Sequence, residues 1–161
     1  MNTFKKRHYR SFRSFWSDLW FPLRNRKQLR EVMSGGAISP AFRERIMLAV
    51  TGVNDCRYCS YFHARQAVKS DMPPEEISLL LEGDVSNCPR DEAVALAYAM
   101  HWAETDGNPE PEVVKKMEQA YEKPTIEAIH LVLRMIRLGN LTGNTADYLL
   151  YRLSFGKLRA G

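Results

Sequence analysis

Two of the chain's three cysteines fall in one short stretch, "DCRYCSYFH", from Asp55 to His63. Cys56 and Cys59 are three residues apart, and His63 follows four residues after the second. Three chemistries use residue types at this spacing. A close thiol pair can cycle between dithiol and disulfide. Two cysteines and a histidine can supply part of a zinc site, with Cys88, His101 or His130 as the further ligand. Two small apolar thiols can also do no more than fill a core.

The element that carries them narrows the choice. A helix opening near Cys56 places that thiol where unpaired backbone N–H groups and the helix dipole favour a thiolate. Cys59 and His63 then share its face, one turn apart each. The rise is about 6 Å from Cys59 to His63 and about 10 Å from Cys56 to His63. A base at His63 therefore reaches Cys59 more easily, and geometry nominates Cys59 as the attacking thiol with Cys56 as its partner. The preceding segment, "SPAFRERIMLAVTGV", opens with Ser39 as N-cap and Pro40 in the first turn, and Asn54 and Asp55 break it. The two helices so joined pack antiparallel, which brings Glu44 to the height of His63. There the carboxylate can orient the imidazole as the third member of a nucleophile–base–orienter set; the alternative is a solvated surface charge.

The rest of the chain reads as helical. Capping residues, prolines and glycines delimit "LRNRKQLREVMSGG" after Pro22, "PPEEISLLLEG", "PRDEAVALAYAMHWAETDG", "PEPEVVKKMEQAYE" and "PTIEAIHLVLRMIRLGNLTGNTADYLLYRL". Gly139 and Gly143 in the last mark either a break or a close helix contact. No alternating strand pattern or internal repeat is present, so the expected fold is all-α with about seven helices.

At 161 residues, 45% hydrophobic and 26% charged, the chain fits one globular domain. No apolar run reaches the roughly 20 residues of a bilayer span, and no secretory signal is evident, so the expected location is cytoplasmic. Residues 1–30 carry a balance of +8 and the remainder −4. Residues 1–22 read as a basic arm that also holds seven of the 17 aromatic side chains, with residues 23–161 as the body. Such an arm packs on its own body or a neighbouring subunit, or else it seeks an anionic membrane or nucleic acid; no nucleic-acid motif accompanies it. Neither a phosphate-cradling loop nor a dinucleotide fingerprint appears, so no cofactor is expected.

The stretch "ERIMLAVTGVNDCRYCSYFH" resembles the signature of alkyl hydroperoxidase AhpD-like members of the carboxymuconolactone decarboxylase family. Their pattern places a glutamate twelve residues before Cys-x-x-Cys, and a histidine four residues after it. Here those positions are Glu44, Cys56, Cys59 and His63. One position departs: the best-known members have histidine directly before the second cysteine, where this chain has Tyr58, whose hydroxyl can pass a proton but is no base near neutral pH. The resemblance implies an AhpD-like helical domain and a thiol-dependent peroxidase. Cys59 would attack hydrogen peroxide or an organic hydroperoxide, and Cys56 would close the disulfide. An external dithiol protein of thioredoxin or lipoyl type would reduce it. It also implies a homo-oligomer, trimer or hexamer. The alternatives are a disulfide oxidoreductase, a redox sensor or a decarboxylase-like enzyme of the same fold, and a zinc-binding structural protein.

Overall fold

The computed structural model describes residues 4–155. Among them are eight helices and no strand: α1 Phe12–Arg24, α2 Arg26–Met33, α3 Pro40–Asn54, α4 Arg57–Lys69, α5 Pro74–Leu81, α6 Ala93–Glu104, α7 Pro111–Ala120 and α8 Lys123–Leu153. The fold is all-α.

α3 is the axle of the fold. The Ser39 side chain accepts from the backbone N–H of Phe42, and Pro40 sits in the first turn. From Ile46 to Thr51 every residue of α3 is buried, because α4, α5, α6 and α8 surround it. Ile46, Leu48, Leu80, Leu96, Ile129 and Leu133, drawn from four helices, form the dry centre. At Gly52, α3 crosses so close to α5 that an added Cβ would lie 2.5 Å from the Leu81 carbonyl oxygen. Only glycine permits that approach.

One expectation needs correction. The helix expected to open after Pro22 is instead two helices, because α1 starts ten residues earlier. Ser11 caps it by accepting from Ser14 N (3.1 Å), and Asp18 and Phe21 anchor it to Arg137 and Arg134 of α8. Pro22 lies inside its last turn, and the helix stops at Asn25. Capping and anchoring upstream outweigh the cost of an interior proline so near the end. This accounts for the eighth helix.

Of the two alternatives for the glycines near the C-terminus, the break is absent, for α8 runs through both Gly139 and Gly143. A Cβ at Gly139 would meet nothing within 4 Å, whereas one at Gly143 would lie 3.0 Å from Cys56 Sγ. Gly143 is therefore the close contact, and it lies against the dithiol.

Candidate functional site

The break between α3 and α4 makes the site. Asp55 adopts the left-handed conformation (φ 52°, ψ 47°), ending α3 and turning the chain so that Cys56 becomes the N-cap of α4. Asp tolerates this region better than most residues. Cys56 is wholly buried, Cys59 partly exposed, and both are free thiols.

Their protons are not shared evenly. The Cys59 S–H donates to Cys56, whose pKa falls to about 7. Burial opposes that shift, while the backbone N–H groups of Cys59 and Tyr58 and the Asn140 amide support it. The Cys59 thiol is pushed well up, first because it holds the proton between the two sulfurs and then by burial. The pair thus shares one proton more readily than two, with the inner sulfur lowered and the outer one raised.

One turn along α4, His63 Nδ1 lies 2.9 Å from Glu44 Oε2. Glu44 is buried, and its other oxygen accepts from Arg43 Nε and Nη2, both at 3.2 Å. Arg43 is itself fixed on the Met33 carbonyl oxygen at 2.7 Å. Glu44 is thus no solvated surface charge; it fixes the ring, leaving Nε2 as the free nitrogen.

Tyr58 does not serve this pair. Its hydroxyl accepts from Arg57 Nη2 (2.9 Å) and donates to Asp147 Oδ1 (3.2 Å), so its hydrogen bonds run to its neighbour on α4 and to α8, and not to His63. Cys88, His101 and His130 are likewise elsewhere. Cys88 faces Glu76, Arg45 and Glu92; His101 pairs with Glu110, and His130 Nε2 lies 3.2 Å from Tyr98 Oη. Among the described residues no group of three or more His, Cys, Asp or Glu is placed to hold a metal.

The floor of the site comes from α8. Asn140, fully buried, accepts from Asn54 Nδ2 (3.2 Å) and donates to Thr51 Oγ1 (3.1 Å), with its amide also facing the two sulfurs. Asn144 donates to the Asn54 carbonyl oxygen (2.6 Å) and so holds the end of α3 in place. Asp147, also buried, binds Tyr58 and pairs with Lys6 at 3.6 Å. None of these three carries a motif of its own in the sequence. The available signal was the apolar stripe Leu133, Ile136 continuing on the same face as Asn140, Gly143, Asn144 and Asp147: a core face that turns polar without leaving the core.

Comparison with curated proteins finds no match. The sequence profile of the carboxymuconolactone decarboxylase family matches residues 23–105, just over half of the chain and the part that contains Glu44, both cysteines and His63. The chain belongs to the carboxymuconolactone decarboxylase family.

Proposed function

We propose that the protein is a thiol-dependent peroxidase working through a Cys56–Cys59 dithiol/disulfide cycle. One observation carries the reading: a buried, thiolate-favouring Cys56 lies against an accessible Cys59, with the Glu44-held His63 one turn away.

The two sulfurs divide the work by position. Cys59 is the one a peroxide can reach. His63 takes its proton, directly or through one water, and the thiolate attacks the terminal peroxide oxygen. The O–O bond breaks, the alkoxide or hydroxide leaves and is protonated, and Cys59 becomes a sulfenic acid. The Cys56 thiolate then attacks that sulfur; hydroxide leaves as water after protonation, and the disulfide closes. Reduction by an external dithiol protein, of thioredoxin or lipoyl type, begins at the partly exposed Cys59 sulfur and expels Cys56. A low-pKa thiol leaves faster, so the depressed Cys56 favours this step as well as disulfide closure.

The same leaving-group argument supports a second reading, a disulfide oxidoreductase whose oxidant is another protein's disulfide. Both readings place the protein in the cytoplasm, where reducing dithiol proteins are available. Both are compatible with a homo-oligomer, for which the exposed Tyr61, Phe62 and Val68 of α4 offer apolar surface.

Stopped-flow oxidation of the reduced protein by hydrogen peroxide and organic hydroperoxides tests the first reading against the second. Peroxidase function predicts saturation with one equivalent of peroxide and a trappable sulfenic acid on Cys59 in Cys56→Ser. Indifference to every peroxide, with rapid exchange against protein disulfides, favours the oxidoreductase. A sulfenate on Cys56 in Cys59→Ser would reverse the assigned roles.

A further inference from the structure

α1 presents two faces of opposite character. Its inner face is tied down: Phe15 packs edge-on to Tyr9 (5.3 Å between ring centres), Asp18 accepts from Tyr9 Oη (2.8 Å) and Arg137 Nε (2.9 Å), and Phe21 lies beneath Arg134 (5.1 Å). Its outer face carries Phe12, Trp16, Trp20 and Leu23, exposed by 76%, 46%, 44% and 58%. At about 100° per residue these four fall on one stripe. Phe12 stacks on Trp16 (5.8 Å) and Trp16 meets Trp20 edge-on (6.1 Å), so the rings form a continuous ladder on the outside of the molecule.

The exposed charge of this stretch has one sign. Over residues 10–30 the exposed charged side chains are Arg10, Arg13, Arg24, Arg26, Lys27 and Arg30; the acid of this span, Asp18, is buried against Arg137. Arg13 and Arg24 project about 20–40° beyond Trp20, along one edge of the stripe. Beside Phe12, a cleft of about 480 Å³ between α1 and α8 is lined by Phe15, Ala146 and Leu149.

We infer that the outer face of α1 is a docking surface for an anionic lipid bilayer. Its rings would enter the headgroup boundary and its arginines would meet lipid phosphates. Tryptophan and basic residues together on one helix face are what a membrane–water interface selects. No helix among the described residues is long and apolar enough to cross a membrane, so the contact is with the surface. A second copy fits less well. The stripe offers roughly 400–600 Å² of apolar surface at ring-sized areas, below the about 800 Å² per partner of a stable interface. Two-fold pairing of the stripe would also bring Arg13 and Arg24 of the two copies towards one another.

Vesicle co-sedimentation decides. Vesicles of equal parts phosphatidylcholine and phosphatidylglycerol should bind the full chain at least about tenfold better than phosphatidylcholine alone, and less so as salt is raised. Trp16→Ala with Trp20→Ala, and separately Arg13→Gln with Arg24→Gln, should each lower that binding several-fold without changing the mass in light scattering. Binding to neither vesicle would overturn the inference. So would binding by both variants as tight as that of the unaltered chain, a fall in assembly mass on removing the tryptophans, or preference for duplex DNA over the anionic vesicle. Should the tryptophan variant lose its helical circular dichroism, the arginine variant decides alone, and unchanged vesicle affinity there would be the contrary result.

Discussion

Cys56 and Cys88 are the same residue type in one small protein, and their surroundings drive them apart. Cys56 falls to about 7 and Cys88 rises to about 11. Burial raises both thiols, and the difference lies in what else faces each sulfur. Cys56 meets donors: the Cys59 thiol, two N–H groups at the start of α4 and the Asn140 amide. Cys88 meets the carboxylates of Glu76 and Glu92, offset in part by Arg45. Reactivity in a thiol thus follows the sign of the neighbouring dipoles and charges more than depth.

The largest expected effect comes from removing the outer sulfur. Cys59→Ser should abolish oxidation by peroxide, while Cys88→Ser should leave the rate unchanged; stopped-flow traces of the two variants sharpen the contrast most. Next is Gly143→Val, which drives a branched side chain against Cys56 Sγ, where even a single Cβ would lie 3.0 Å away. Overpacking of this kind costs about 1–3 kcal/mol, measurable by denaturant unfolding, and should also disturb disulfide formation. The same change at Gly139, where a Cβ meets nothing, should cost far less.

Asn140→Ala breaks the donor set around Cys56 and strands Thr51 and Asn54. A stability loss of about 1–3 kcal/mol is expected from the unpaired buried groups. The pH at which the thiolate absorbance of the reduced protein appears should move upward. Asn140→Asp, which adds a negative charge beside the sulfurs, should move it further.

A smaller effect is expected from pH. Cys56 is lowered in the folded state from its ordinary 9.0. Its ionisation therefore contributes stability that is fully present above pH 9 and lost as pH falls through about 7. The reduced protein should gain stability between pH 7 and 9 relative to the Cys56→Ser variant, as read from unfolding midpoints. Measured against Cys88→Ser instead, the protein should show no such gain over that range, because the Cys88 shift is upward.

The parts of this contrast differ in how openly the sequence displays them. The Cys-x-x-Cys-x-x-x-His run is local, and helical spacing alone puts its members on one face. Glu44 takes one more step, the tight turn at Asn54 and Asp55 that returns α4 alongside α3. Caps and prolines mark most helix ends for the same local reason. Asn140, Asn144 and Asp147 lie 80 or more residues from Cys56 and Cys59, and within α8 they read only as polar interruptions of an apolar period. Their importance comes from tertiary packing, which brings that face under the start of α4. Pro22 misleads for a related cause: its local preference for opening a helix is overridden by the Ser11 cap and by anchors on α8.

Mass spectrometry of the reduced protein after one equivalent of peroxide tests the dithiol cycle itself. The peptide holding Cys56 and Cys59 should lose two hydrogens while Cys88 remains a free thiol. A dithiol left reduced, or Cys88 oxidised first, would contradict it.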